Sequence, residues 1–214
     1  MKNKNQTSFL KDIISSPLFF IAIIVVIFGA IIYYVDDGTE KDLLISGYNY
    51  NPDVVTITEY GDYQCPACGK MYEVVEDILK EYEGKITLDY RHFPLSFHEN
   101  AMKASVASEC AREQGKFWEM HGQLYTNQTK LQIEDLKLYA SQLQLDSDSF
   151  TTCLDENRYT DKINEEKAKG ELDKINGTPT FYVNGQKLTN SENDKYLPVI
   201  EDFEKAIEAE LNKK

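Results

Sequence analysis

The cysteine pair Cys65 and Cys68 lies where a predicted strand meets a predicted helix, and this position constrains the fold more than any other feature of the chain. β-Branched residues alternate over 53–60, which predicts the strand. Pro66 suits the first position of a helix, and apolar residues then recur at the spacing of one buried helical face. These residues are Met71, Val74, Val75, Ile78, Leu79 and Tyr82. Cys65 is therefore expected at the helix N-terminus.

The N-terminal position favours a reactive thiolate at Cys65. Unpaired backbone N–H groups and the positive end of the helix dipole stabilise an anion there, so they lower the pKa of a thiol. Only the thiolate attacks a disulfide or leaves one readily. Cys68 is one turn further along the helix and within disulfide reach. We therefore predict that Cys65 reacts and that Cys68 resolves the product.

Two other uses of a Cys-x-x-Cys pair remain open at this point. A structural zinc site needs four ligands, usually with a second close pair, whereas Cys110 and Cys153 are far apart in the sequence. The histidines are not spaced as a ligand pair either: His92, His98 and His121. A purely structural disulfide across one helical turn would close too small a loop to constrain the chain. Redox chemistry is the favoured interpretation, and no metal is expected.

The apolar run over 18–35 predicts one transmembrane helix. It contains 18 residues without a charge, and as a helix it would be ~27 Å long, close to the ~30 Å hydrocarbon core. Lysines precede the run and acidic residues follow it, which favours a cytoplasmic N-terminus and an exported remainder. A cleaved signal peptide competes with this interpretation, but it calls for a shorter apolar region and small residues at its end. We expect an uncleaved anchor that crosses the cell (inner) membrane once.

The net charge restricts the partners of the exported part. The chain carries a formal net charge of −13 and residues 1–17 contribute +2, so residues 36–214 carry −15. This acidity argues against nucleic-acid binding.

The cysteine count suggests a second pair. Exported domains commonly pair their cysteines, and a bond between Cys65 and Cys68 leaves Cys110 with Cys153, which is one of three connectivities. We favour a structural disulfide that closes a loop of 44 residues between these two cysteines. Two buried free thiols are the alternative.

One folded domain is expected behind the anchor. We predict a cytoplasmic N-terminus over 1–17, the transmembrane helix over 18–35, a linker and lead-in over 36–52, and an α/β domain over 53–211. No convincing strand pattern occurs from about 96 to 175, where apolar residues at helical spacing predict an insertion of five helices.

Strands are predicted on both sides of this insertion. The other predicted elements are a strand over 86–93, a strand over 180–183, a short strand over 186–188 and a helix over 197–211. The strand over 86–93 follows the helix that starts at Pro66, so it should run parallel to the first strand in a right-handed βαβ unit. Asn184 and Gly185 predict a hairpin turn.

Three further residues are candidates for the site of Cys65 and Cys68. They are Thr178, Pro179 and Glu59. From its own segment, an ordinary trans Pro179 at a strand start is favoured, whereas a cis bond would let the Thr178 backbone pair with an extended substrate. Glu59 falls within the first strand. Buried beneath the helix, its carboxylate would accept a proton from Cys68; a solvated edge-strand glutamate is the alternative.

The remaining aromatic and histidine side chains near the motif receive structural interpretations. A histidine beside the cysteine pair could stabilise the thiolate, but local hydrogen bonding is favoured for His92 and His98. Trp118 is expected in the core.

Four segments together carry a family resemblance: 57–68, 91–95, 109–118 and 177–185. They resemble the DsbA-like thiol:disulfide oxidoreductases of the thioredoxin superfamily, especially the membrane-anchored bacterial branch, over about 45–211. The resemblance implies an α/β, thioredoxin-like fold with a helical insertion, here preceded by one N-terminal transmembrane helix.

The resemblance also assigns roles to the candidate residues. It implies that Cys65 is the nucleophile, that Cys68 is the resolving thiol, and that Glu59 is the buried acidic residue below them. It further implies that Thr178 and Pro179 form a cis-proline loop and that both residues contact the substrate. Strongly oxidising members carry a histidine between the cysteines, whereas this chain has Pro66 and Ala67, so the direction of electron flow stays open.

The expected function is thiol–disulfide exchange with exported thiol-containing proteins, most favourably as a disulfide donor. A reductase or isomerase using the same site is the enzymatic alternative, and a thiol-independent chaperone or peptide-binding module is the alternative of another class. The resemblance implies a quinone-linked reoxidant in the membrane. We expect no cofactor, no nucleic acid and a monomer.

Overall fold

The computed structural model describes residues 54–193 and 197–213. The predicted anchor over 18–35 and the predicted linker over 36–52 lie outside these residues. Of the helices that are described, none combines the length and the apolar character that crossing a bilayer requires.

The described residues form four strands and seven helices. In chain order these are β1 (Val55–Gly61), α1 (Pro66–Glu81), β2 (Ile86–His92), α2 (Ala101–Arg112), α3 (Phe117–Thr126), α4 (Ile133–Gln142), α5 (Ser147–Asp155), α6 (Thr160–Leu172), β3 (Thr180–Val183), β4 (Gln186–Lys187) and α7 (Ile200–Leu211). The predicted strands, the helix start at Pro66 and the five-helix insertion are confirmed. The last helix starts three residues later than predicted, at Ile200.

The sheet places β1 in an interior position. The strand order is β2-β1-β3-β4, with β1 parallel to β2 and antiparallel to β3. Every residue of β1 is buried. The strand has few charged side chains, because a strand covered on both faces cannot expose them to water. The one carboxylate within it, Glu59, pairs with Tyr90 on β2 and Phe181 on β3.

Two apolar clusters pack on helix α1. The first lies between the sheet and helices α1 and α7, and it includes Met71, Val75 and Phe203. The second is the core of the helical insertion, and it contains both Cys65 and Cys68. Helix α1 therefore joins the sheet to the insertion, and the start of this helix is covered by the insertion.

A disulfide between Cys110 and Cys153 joins α2 to α5 inside the insertion. Both cysteines are fully buried, and their Cα atoms are 5.9 Å apart. This is the pair that the cysteine count favoured. These two sulfurs are therefore bonded to each other and cannot complete a zinc site with Cys65 and Cys68.

The expectation that Trp118 belongs to the core is wrong. Its side chain is 48% exposed. The buried face of α3 carries Phe117, Met120, His121 and Leu124, and Trp118 is displaced by about 100° around the helix from Phe117. The indole packs edge-on against Phe117 and His121 at the rim of the core.

Replacing both structural cysteines tests the role of the disulfide. We expect Cys110→Ala/Cys153→Ala to lower the free energy of unfolding by roughly 2–4 kcal/mol. The cross-link joins residues 43 apart in the sequence, and without it the unfolded chain regains conformational entropy. Urea unfolding without reductant measures this difference. In reductant the difference from the wild type should shrink; an equal difference with and without reductant would contradict the assignment.

Candidate active site

The end of β1 and the start of α1 position Cys65. The chain leaves β1 at Gly61, and a turn closes where the Cys65 N–H donates to the Asp62 carbonyl at 3.0 Å. Cys65 is then the N-cap residue of α1, with Pro66 following at the start of the helix. The sequence-predicted position of Cys65 at the helix N-terminus is confirmed.

Asp62 holds this turn in place, a role that sequence reasoning did not identify. Its fully buried carboxylate accepts from the Gln64 N–H at 2.7 Å, from the Leu95 N–H at 2.8 Å and from His98 Nδ1 at 2.8 Å. The turn before Cys65 is thereby bonded to the loop after β2. An aspartate three residues before the N-cap cysteine suits a turn, but its distant partners are visible only in the folded structure.

The two cysteines differ in accessibility and acidity. Both are free thiols; Cys65 is 6% exposed and Cys68 is fully buried. A hydrogen bond from the Cys68 thiol is the largest cause that lowers the pKa of Cys65, to about 5. Burial opposes this change, while the backbone N–H groups of Cys68 and Ala67 assist it. The N–H groups at the helix N-terminus thus contribute as predicted, and each of them contributes less than the second sulfur does.

Cys68 has the opposite character. Burial is the main cause that raises the pKa of its thiol, and the hydrogen bond that it donates to Cys65 adds to this effect. The negative charge of Glu59 raises the pKa further. Cys65 is therefore the thiol that ionises, and Cys68 keeps its proton until a base accepts it.

The loop before β3 lies against the nucleophilic sulfur. The peptide bond between Thr178 and Pro179 is cis, as the family resemblance implies and contrary to the trans bond favoured from the segment alone. The Cys65 Sγ is 3.3 Å from the Thr178 carbonyl oxygen, to which the protonated thiol donates. Two segments 113 residues apart in the sequence therefore meet at one sulfur atom.

Glu59 is buried in the middle of the sheet, so the interpretation of this residue as a solvated edge-strand glutamate is wrong. Its side chain is 2% exposed, and Oε1 has no hydrogen-bond partner among the residues described. Burial raises the pKa of the carboxyl to about 8. A group with this pKa can hold or release a proton near neutral pH.

The histidines that the sequence analysis considered bond to carboxylates distant in sequence. His92 Nε2 is 3.0 Å from Glu109 Oε1, within the buried part of α2, and His98 bonds to Asp62. The expectation of purely local hydrogen bonding is thus wrong for both, because the tertiary fold brings acidic partners to them. No group of three or more His, Cys, Asp and Glu side chains within the described ranges is arranged to hold a metal ion.

The sequence matches a known family over most of its length. Residues 52–209 match the family model described as Thioredoxin. The chain belongs to the thioredoxin family. Solved structures with the same fold include a thioredoxin-like oxidoreductase from Silicibacter pomeroyi DSS-3, with a TM-score of 0.64 and 24% identity. That match covers 77% of this thioredoxin-family chain and 90% of the other.

The fold also matches that of Wolbachia pipientis alpha-DsbA1. The TM-score is 0.63 at 21% identity, and the match covers 81% of this chain and 96% of that chain. At this identity the likeness concerns the fold. The prediction of a DsbA-like member of the thioredoxin superfamily is confirmed at that level.

Curated relatives with higher identity are much longer proteins. The Na(+)/H(+) antiporter NhaA 1 of Salinispora arenicola is 41% identical over 144 residues, which is 67% of this chain and 22% of that protein. The chain thus spans about a fifth of the length of the curated relatives it matches.

A pH titration of the reduced protein tests the acidity of Cys65. Because the pKa of Cys65 is lowered to about 5, its alkylation by iodoacetamide should accelerate as the pH rises through about 5 and then level off. Stopped-flow alkylation, with peptide mapping to identify the labelled cysteine, measures the midpoint. A midpoint near the ordinary thiol value of about 8.5 would contradict this site description.

A comparison of Glu59→Gln with the wild type tests the buried carboxyl. The folded protein holds this proton more tightly than the unfolded chain, so the wild type should lose unfolding free energy as the pH rises from about 4.5 through about 8. The loss is at most about 5 kcal/mol, and Glu59→Gln should lack it.

The informative quantity is the difference between the two proteins at each pH. The low pKa of Cys65 acts in the opposite direction, raising the stability of the reduced protein with pH, and it is common to both proteins. Urea unfolding from pH 5 to pH 9 measures the difference. A difference independent of pH would show that Glu59 does not titrate as described.

Proposed function

We propose that this protein catalyses thiol–disulfide exchange with exported proteins through Cys65 and Cys68, most favourably as a disulfide donor. The observation that carries the proposal is the pairing of a slightly exposed thiol of lowered pKa with a fully buried thiol of raised pKa at the start of one helix. This asymmetry suits exchange, because one sulfur must attack or leave as an anion while the other waits protonated.

As a disulfide donor, the protein begins with a bond between Cys65 and Cys68. A substrate thiolate attacks the Cys65 sulfur, so a mixed disulfide forms and Cys68 leaves as a thiolate that takes up a proton. Glu59, with its pKa raised to about 8, supplies that proton and recovers one from water. A second substrate thiolate then attacks the substrate sulfur of the mixed disulfide. The substrate leaves oxidised by two electrons, and Cys65 leaves as a thiolate.

The lowered pKa of Cys65 supports the donor direction. A stabilised thiolate stabilises the reduced protein, which makes the disulfide more oxidising. Thiol pKa values of about 7 in thioredoxin and about 3.5 in DsbA accompany potentials of about −270 mV and about −120 mV. With a pKa of about 5, this site falls between the two. The Pro66-Ala67 dipeptide therefore does not by itself require a reducing role.

The cellular setting of the proposal rests on the sequence. The apolar run over 18–35 and its flanking charges favour a signal anchor in the cell membrane, with the catalytic domain outside the cytoplasm. Substrates are then exported proteins with free cysteines. A quinone-linked membrane protein is the proposed reoxidant, since each donated disulfide leaves two electrons on Cys65 and Cys68. The proposal requires no nucleic acid, no cofactor and no second copy of the chain.

The reduction potential of the full chain tests the proposed direction. Equilibration with glutathione buffers should give a value between about −270 and −120 mV, and Cys110→Ala/Cys153→Ala should give the same value, because Cys65 and Cys68 alone titrate. A potential at or below the thioredoxin figure would contradict the donor role and favour the reductase.

Substitution of Cys65 separates the enzymatic proposals from a binding module. Cys65→Ser should abolish the oxidation of a reduced test protein such as a dithiol peptide. A different result would indicate a thiol-independent chaperone or peptide-binding module. In that case the wild type would not exchange disulfides, and Cys65→Ser would bind unfolded polypeptide as well as the wild type does.

A further inference from the structure

The side-chain amide of Gln128 bonds to the backbone on both sides of the active-site turn. Its Nε2 donates to the Tyr63 carbonyl at 3.0 Å and to the Cys65 carbonyl at 2.8 Å. Gln128 lies between α3 and α4, within the helical insertion, 63 residues from Cys65. The two hydrogens of one amide group thus bond to the two carbonyls that flank Gln64.

The first turn of α1 is shaped to admit this amide. A Cβ atom added at Gly69 would collide with the side-chain oxygen and carbon of Gln128. Glycine is otherwise unfavourable within a helix, by about 1 kcal/mol relative to alanine. The Gln128 amide therefore packs against the helix at Gly69, where the chain has no side chain.

The loop that carries Gln128 is itself fixed to the insertion. The Asn127 side-chain amide donates to the Gln123 carbonyl of α3 at 2.8 Å. On the other side, the Tyr139 hydroxyl of α4 donates to the Lys130 carbonyl at 2.8 Å. The Gln128 side chain consequently extends from a loop that is bonded to both neighbouring helices.

We propose that Gln128 is a positioning residue, whose amide fixes the turn from Tyr63 to Cys65 and thereby holds the Cys65 sulfur at the start of α1. This inference deepens the proposed function, on which its catalytic consequence rests. Gln128 does not touch the sulfur in this proposal. It acts through the Cys65 backbone, which sets how the sulfur meets the N–H groups of Ala67 and Cys68.

The chemistry of an amide at this position explains why glutamine suits it. The carbonyl oxygens of Tyr63 and Cys65 are both acceptors, so a side chain that bonds to both needs two donors, which an amide provides. The Cys65 carbonyl also accepts from the Gly69 N–H at 3.1 Å. A glutamate would place a carboxylate against two carbonyl oxygens, and it would add a negative charge beside the residue that must itself become an anion. An alanine would remove both hydrogen bonds and add no charge.

The acidity of the Cys65 thiol in the full reduced chain tests this proposal. We expect Gln128→Ala to lower the acid dissociation constant of Cys65 by about threefold and Gln128→Glu to lower it by about tenfold or more, since the second change also adds a like charge. The pH dependence of iodoacetamide alkylation measures both. Thr129→Ala, an exposed neighbour in the same loop, is the matched control and should leave the midpoint unchanged.

A purely structural role would give another pattern. Gln128→Ala and Gln128→Glu would then reduce the free energy of unfolding, while the midpoint of Cys65 alkylation in the folded fraction stayed at the wild-type value. That result would overturn the proposal. An equal midpoint shift in Thr129→Ala would also overturn it, because any disturbance of the loop would then suffice.

Gly69→Ala provides an independent route to the same loss. Its methyl group should displace the Gln128 amide and lower the acidity of Cys65 to the extent seen with Gln128→Ala. In the double variant Gly69→Ala/Gln128→Ala the two effects should not add. Additive effects would overturn the proposal, because they would place Gly69 and Gln128 in separate roles.

The readout also separates this inference from the proposed function. Thiol acidity is measured on the protein without any substrate. If the wild type fails to exchange disulfides but the Gln128 variants shift the Cys65 midpoint, the proposed function fails and the positioning role stands. If the wild type exchanges disulfides but the Gln128 variants leave the Cys65 midpoint unchanged, the proposed function stands and the positioning role fails.

Discussion

The hydrogen bond between the two sulfur atoms at the start of α1 is the interaction on which the site depends. Burial by itself would raise the pKa of both thiols, since it penalises the charged form. The thiol of Cys68 donates to the sulfur of Cys65, so a single contact lowers the pKa of one cysteine and raises that of the other. The backbone around the pair serves to keep these two sulfurs, the first N–H groups of the helix and Thr178 together.

The helical insertion builds much of the environment of this contact. Cys65 and Cys68 belong to the apolar core of the insertion rather than to the core beneath the sheet. The turn before Cys65 is bonded on one side to the loop after β2 through Asp62, and on the other to the insertion through Gln128. The Cys110–Cys153 disulfide links two helices of this same body. The surroundings of the two cysteines on this thioredoxin-family sheet are thus supplied largely by the helical insertion.

Beneath the pair, Glu59 shows how an interior strand can carry a proton. Its neighbours across the sheet are Tyr90 and Phe181, which give the carboxylate no compensating charge, so the proton stays bound up to about pH 8. The charged form of Glu59 in turn raises the pKa of Cys68. A negative charge on Glu59 therefore disfavours a second negative charge on Cys68, which suits a thiol that stays protonated until the disulfide opens.

By itself, the sequence determined strand β1, the helix start at Pro66, the positions of Cys65 and Cys68, and the hairpin at Asn184. Each of these features depends on residues close together in the chain. Tertiary structure alone decided the burial of Glu59, the exposure of Trp118, the partners of His92 and His98, and the contacts of Asp62 and Gln128. A strand pattern cannot say whether a strand lies at the edge or in the interior of a sheet, and a histidine cannot reveal a carboxylate 17 or 36 residues away. These features arise from packing between distant segments, where the surroundings of a side chain, and not its neighbours in the sequence, set its charge and its role.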